Sequence, residues 1–195
     1  MVRAIDSQLF LFLNGLHAGW LDTVMVSITQ MWPWIPLYIL LLYAALKHYG
    51  KRGWWIVLGV AIVVLCTDQL SSHVCKPPFQ RLRPCFNPEI KDLVYLPNGL
   101  PGGKYGFVSS HAANTFGVAA FLTAALRKRW RWIGWVLYGW ALLSSYSRIY
   151  VGVHYPGDVL VGAAIGILIG LMIWFLMKLI LKNHLDRSSR LDAPK

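Results

Sequence analysis

Charge is what this 195-residue chain has least of, because only 14% of its residues are Asp, Glu, Lys or Arg. A soluble domain carries roughly a quarter, so an ordinary water-facing surface is excluded. Acids are the scarcer sign, with 8 Asp and Glu against 19 Lys and Arg, a formal net charge of +11. No basic stripe interleaved with aromatics accompanies that excess, which argues against a nucleic-acid partner. The three cysteines, Cys66, Cys75 and Cys85, form no CxxC or Cys/His spacing of a metal centre. Cys66 reads as helix packing, whereas Cys75 and Cys85 flank a basic loop and could pair if that loop faces an oxidising compartment. No signal peptide is evident at the N-terminus, since Arg3 is followed by Asp6 and no small-residue cleavage site follows the short apolar run. Internal repeats and low-complexity tracts are absent as well.

What is present is apolar sequence: 56% hydrophobic residues, ten of them Trp, with a positive mean hydropathy of +0.49. One integral membrane domain, all-α and multi-pass, is the expected architecture. Ile5, Leu9, Phe12, Leu13 and Leu16 recur at helical spacing over 5–20, behind Asp6 or Ser7 as N-cap, and predict a helix lying in the membrane interface. Apolar stretches at 24–46, 54–75, 107–126, 130–147 and 157–181 each approach the roughly 20 residues a bilayer core requires. About five transmembrane helices follow. Pro33 and Pro36 are expected to kink the first.

Five spans put the basic segments Lys47–Gly53, Arg127–Arg131 and the tail after Lys182 on one side, which the positive-inside rule makes cytoplasmic. The N-terminus and the connections 76–108 and 148–157 then face outward. The first of these is 33 residues long, stiffened by six prolines, and basic in its own right. Long ordered loops are frequently functional.

Alternation of the spans also brings four places to one face: Lys76 with Arg83, Ser109-Ser110-His111, Ser147-Arg148, and His154 with Asp158. Ionisable residues at a membrane edge are costly and mark functional sites. Lys76, Arg83 and Arg148 suit an anion, because arginine forks match phosphate oxygens bidentately, although basic residues at helix ends also snorkel to headgroups. VSSHAANTF reads as a helix start with Ser109 as N-cap, where free N–H groups and the helix dipole favour an anion. His154 and Asp158 lie four residues apart around Pro156 and Gly157. A carboxylate there can fix the imidazole tautomer and leave the other nitrogen free to attack phosphorus; a Pro-Gly turn with a capping Asp and an interfacial His is the plainer reading.

Taken together these residues resemble the motifs of the type 2 phosphatidic acid phosphatase family, which includes membrane lipid phosphatases. Lys76-PPFQRL-Arg83-Pro84 matches its K-x6-R-P motif, and Ser147-Arg148-IYVGV-His154-YPG-Asp158 matches S-R-x5-H-x3-D. The middle motif, P-S-G-H, is met only as Val108-Ser109-Ser110-His111. The resemblance implies that Lys76, Arg83 and Arg148 hold phosphate oxygens, assisted by Ser109 and the Ser110 amide. His154 is the implied nucleophile, oriented by Asp158, and His111 the implied proton donor to the leaving oxygen. It implies no metal and no cofactor, fixed cations supplying the charge neutralisation. Ser110 in place of Gly adds a Cβ where backbone approaches phosphate.

The implied activity is metal-independent hydrolysis of a lipid phosphate or diphosphate at the outer face of a bacterial inner membrane. Undecaprenyl diphosphate is the first expectation, with lipid A phosphate and phosphatidylglycerophosphate as rivals. Metal-assisted hydrolysis through His111, His154 and Asp158 is the competing enzymatic reading, and a lipid-binding or transport protein with a retained anion site the non-enzymatic one. Asp68 and His73 stand near Lys76 as possible supports. His17, His48 and His184 fall outside the cluster, and the Trp groups at 54–55 and 130–135 fit an aromatic belt.

Overall fold

The computed structural model describes residues 2–97, 99 and 103–191. Helix α1 (Val2–Asn14) and helix α2 (Gly19–Ile28) meet at 115°. The expected continuous helix over 5–20 is therefore two pieces, and it starts before Asp6, which lies inside α1 and does not cap it. The break follows from the turn at Gly15 and the irregular residues 16–18. Asn14 secures it: its side-chain amide donates to the carbonyls of Tyr150 (2.8 Å), Tyr95 (3.1 Å) and Ile149 (3.3 Å), and its Oδ1 accepts from the Tyr95 N–H at 2.8 Å.

The expected span 24–46 is not a single helix either. After α2 the chain passes a 3-10 turn at Trp32–Trp34 and enters α3 (Ile35–Tyr49). Pro33 and Pro36 lack the N–H groups a through-going helix needs, and the Trp34 indole closes the gap by donating to the Ile28 carbonyl at 2.9 Å. Helix α4 (Gly53–Gln69) continues through a π-helical turn, Leu70–Cys75, into the short α5 (Lys76–Phe79), and Gln80 stops it in the left-handed region at φ 42°. Helices α6 (Ser110–Leu126), α7 (Ile133–Tyr150) and α8 (Pro156–Leu191) complete the bundle. No strand forms among the described residues beyond an isolated antiparallel bridge, Leu82 to Tyr105.

Helix α6 is the central element, buried on almost every side from Ala112 to Leu126 and enclosed by α4, α7 and α8. Its composition explains why: Ala, Gly and Thr dominate, and small residues let backbones approach where lipid offers no hydrophobic drive between helices. Helix α8 answers with Gly162, Gly166 and Gly170. A Cβ built on Gly162 sits 2.6 Å from the Ser109 carbonyl oxygen, and those on Gly166 and Gly170 collide with the carbonyls of Ala113 and Gly117. The contact thus runs in register for two turns from the first residue of the α6 cap. A core of Val63, Phe121, Leu126, Leu137, Trp140 and Met177 fills the far half of the bundle.

Large apolar side chains point outward along the bundle: Ile39, Leu40, Leu65, Leu142, Leu160 and Leu168 are each about 60–70% exposed. A surface of that kind is stable only against lipid. Two helices are long and apolar enough to cross a membrane, Gly53–Phe79 and Pro156–Leu181, and the bent pair α1–α2 makes a third if it counts as one broken span. The chain is an all-helical membrane protein.

Candidate active site

Four chain segments converge at the end of the bundle where α4–α5 and α7 finish and α6 and α8 begin. Each contributes for a local reason. Lys76 follows the π-helical turn, which rotates it out of the α4 register. Its ammonium donates to the Ser110 hydroxyl at 3.0 Å, and Ser72 Oγ lies 3.3 Å from the same hydroxyl. Ser110, the departure from the motif glycine, therefore occupies its extra volume with a polar contact to the lysine.

Beyond Gln80, residues 81–83 run antiparallel to 104–106. The Arg83 N–H donates to the Lys104 carbonyl and the Gly106 N–H to the Arg81 carbonyl, each at 2.8 Å. Alternation along an extended segment puts Arg81 and Arg83 on the same side, toward the site. Gly106 passes close over it: a Cβ there would lie 3.1 Å from Asp158 Oδ2 and 3.5 Å from His154 Nδ1.

Ser109 is fully buried and caps α6, its hydroxyl accepting from the Ala112 N–H at 3.4 Å, while its own N–H donates to the Asp158 carbonyl at 3.1 Å. His111, in the first turn, places Nε2 at 2.9 Å from Ser144 Oγ on α7. Arg148, one turn beyond Ser144, donates from Nη1 to Thr29 Oγ1, and its buried Nε has no partner in the protein. A buried guanidinium nitrogen left open in this way suits an anion's oxygen.

His154 occupies the connection between α7 and α8 and is 3% exposed. Its Nδ1 faces Asp158 Oδ2 at 3.7 Å, an electrostatic contact longer than a hydrogen bond. Burial drives its pKa below the ordinary imidazole value to about 4; Asp158 opposes that shift, and Arg148 and Arg83 add to it. The imidazole is accordingly neutral at physiological pH. Asp158 is wholly buried and takes three interactions: Oδ2 accepts from the Tyr155 N–H at 3.1 Å, Oδ1 accepts from Arg81 Nη1 at 2.7 Å, and the imidazole lies alongside.

All eight residues singled out in the sequence thus stand at this one end: Lys76, Arg83, Ser109, Ser110, His111, Arg148, His154 and Asp158. Four others were missed. Arg81 is one of several basic residues of the 76–108 loop, and its place two residues before Arg83 gives it the same face. Ser144 stands four residues before Arg148, the spacing that shares a helix face. Asp6 was read as a cap, though an acid inside an apolar segment signals a buried partner. Thr29 carried no local signal. Cys66, Cys75 and Cys85 are free thiols. An open cavity of about 600 Å³ adjoins the site, lined by Arg3, Ser7, Arg81, Asn87, Glu89 and Tyr155 among others.

Clustered cations around a neutral, carboxylate-backed histidine suit a phosphoryl group. Residues 52–182 match the PAP2 superfamily, and the chain belongs to it. The lipid A 4'-phosphatase of Bacteroides thetaiotaomicron is 45% identical over 175 residues, covering 88% of this chain and 76% of that protein. An undecaprenyl-diphosphatase of Sulfolobus acidocaldarius is 33% identical over 164 residues, 82% of this chain and 72% of the relative. The crystal structure of the PAP2-type phosphatidylglycerolphosphate phosphatase from Bacillus subtilis superposes with a TM-score of 0.66 at 23% identity, covering 93% of this chain and 87% of that one. The chain is a membrane lipid phosphatase.

Proposed function

We propose that the enzyme removes a phosphate from a lipid A-type glycolipid through a phosphohistidine intermediate. The substrate choice rests on the 45% identity to a lipid A 4'-phosphatase, against 33% to an undecaprenyl-diphosphatase. Undecaprenyl diphosphate, first in the sequence expectation, takes second place, with phosphatidylglycerophosphate behind it.

The mechanism rests on one observation: Nδ1 of His154 is turned to Asp158, which leaves Nε2 as the nucleophile. Lys76, Arg83 and Arg148 bind the non-bridging oxygens, and Ser109 and the free amides of the first turn of α6 complete the cradle. Nε2 attacks phosphorus as the lipid oxygen leaves with a proton from His111, held in place by Ser144. Asp158 stabilises the imidazolium character that develops on His154. Water, activated by the now neutral His111, then cleaves the phosphorus–nitrogen bond. The charge of the phosphoryl group is balanced by the three fixed cations throughout.

The bundle crosses the membrane five times in this reading, as α3, α4–α5, α6, α7 and α8, with α1 and α2 folded against the site end. Lys47, Lys51 and the Arg127–Arg131 cluster stand at the end away from the site, so the positive-inside rule puts the C-terminus in the cytoplasm and the site at the periplasmic face of a bacterial inner membrane.

Purified enzyme assayed for phosphate release from lipid A, undecaprenyl diphosphate and phosphatidylglycerophosphate tests both parts. The expected result is the highest kcat/KM on lipid A, abolished in His154→Ala. Faster turnover of undecaprenyl diphosphate refutes the substrate, and an active His154→Ala enzyme refutes the nucleophile.

A further inference from the structure

Asp158 does not end the chain of interactions behind His154. Its Oδ1 is bound by Arg81 Nη1 at 2.7 Å, and Nη2 of the same guanidinium binds Asp6 Oδ2, also at 2.7 Å. Asp6 Oδ1 in turn accepts from the Gly157 N–H at 2.8 Å, in the first turn of α8, one residue before Asp158. The Arg81 guanidinium lies over the Tyr155 ring at 4.0 Å from its centroid, and Tyr155 is the residue whose N–H holds Asp158 Oδ2. Asp6 and Arg81 are mostly buried, their side chains 14% and 20% exposed, and Asp158 is wholly so. Arg81 and Asp158 lie inside the stretch matched to the superfamily, residues 52–182. Asp6 lies outside it, on the N-terminal helix.

We propose that Asp6 and Arg81 are positioning residues for hydrolysis, Asp6 fixing Arg81 and the α8 N-terminus, and Arg81 fixing the carboxylate that backs His154. The N-terminal helix is then part of the catalytic apparatus as well as a cover over it. The physical basis is the fork. A guanidinium can bind two carboxylates at once in fixed directions, which an ammonium cannot. Both contacts of Asp6, to Arg81 and to Gly157, hold groups adjacent to Asp158, so the carboxylate has no freedom to turn from the imidazole.

The arrangement also sets charge. Asp6, Arg81 and Asp158 together carry one net negative charge. The other charged or titratable groups facing His154 are Arg148 from α7, Arg83 from the loop and His111 from α6. Neutralising Asp6 reduces the negative field on the imidazole, and neutralising Arg81 increases it. Opposite changes in the protonation of His154 follow.

This inference rests on the nucleophile and orienter roles given to His154 and Asp158, and the experiment keeps the two apart. Asp6→Asn, Arg81→Gln, Arg81→Lys and His154→Ala are purified, and kcat, KM and the pH dependence of kcat/KM are measured on whichever lipid of the panel above turns over fastest. Asp6→Asn and Arg81→Lys are expected to lower kcat about tenfold, as expected for a sub-ångström misplacement of a reacting group, with KM within about twofold of wild type. The acid limb of kcat/KM moves down by about half a pH unit in Asp6→Asn and up in Arg81→Gln. A purely structural tether lowers Tm without moving that limb in opposite directions, and that result overturns the proposal. Should Arg81→Gln fail to fold, the isosteric Asp6→Asn decides alone: wild-type kcat with an unmoved acid limb overturns it. An inactive His154→Ala beside a wild-type Asp6→Asn removes only the positioning role, whereas an active His154→Ala removes the reading on which it stands.

Discussion

Gly162→Ala tests whether the close contact of α6 with α8 builds the site. The added methyl would stand 2.6 Å from the Ser109 carbonyl oxygen and 3.4 Å from the Ala112 Cβ. Carbon and oxygen come no closer than roughly 3.3 Å in a favourable contact, so the helices must part locally by about 0.7 Å. Both sides of the contact are backbone, and no flexible side chain can absorb the shift. Overpacking of this kind costs about 1–3 kcal/mol. The chemistry pays as well, because Ser109 caps the helix that carries His111 and donates its N–H to the Asp158 carbonyl. A displacement near 1 Å can cost on the order of a hundredfold in rate, so kcat should fall between about ten- and a hundredfold. Gly139→Ala on α7 is the control, since a Cβ there meets nothing within 4 Å. Thermal unfolding in detergent and phosphate release from the same samples provide both readouts. A Gly162→Ala protein as stable and as active as Gly139→Ala would refute the argument.

The depressed pKa of His154, about 4 by burial first, has a consequence for stability. The unfolded chain binds a proton on this residue below about 6.5 and the folded protein does not until about 4. Stability is then full above the upper value and declines as pH falls through the window. Tm should rise from pH 5 to pH 7, and His154→Gln should flatten part of that slope; an unchanged slope counts against a neutral buried imidazole. Ser144→Ala removes the partner of His111 and should lower kcat about tenfold with a change in the basic limb of the pH profile, since the misplaced group is the proposed proton donor; an unchanged basic limb removes Ser144 from that role. Lys91, exposed on the loop beside the site, reports topology. Lys91→Cys in a cysteine-free background should react with an impermeant thiol reagent in spheroplasts, and labelling only after lysis would put the site on the cytoplasmic side.

The sequence by itself determined the class of protein, a membrane phosphatase by its motifs and its apolar runs. Charged residues are so rare in this chain that each cluster beside an apolar run stands out, and Lys76, Arg83, Arg148, His111, His154 and Asp158 are candidates because the motifs that resemble the family pattern are local. Helical class and the positions of α4, α6, α7 and α8 were legible for a related reason, since an apolar run of spanning length has few other uses in water or lipid. The break between α2 and α3 was not: the composition of 24–46 is that of one span, and only the missing N–H groups of Pro33 and Pro36, with the hydrogen bond from the Trp34 indole to the Ile28 carbonyl, divide it. The 33-residue loop was legible as a long proline-rich connection but not as a short antiparallel pairing, which depends on contacts between residues more than twenty positions apart.

Tertiary structure alone decided what stands behind His154 and Asp158. Asp6 and Arg81 are 75 residues apart, and Asp6 and Gly157 are 151 apart, distances at which no periodicity or cap signal survives. Hydrogen bonds to a buried carboxylate depend on where helices cross. The glycines at 162, 166 and 170 fix the crossing of α8 with α6, which brings together the helix N-termini that carry Ser109, Ser110 and His111 on one side and Asp158 on the other.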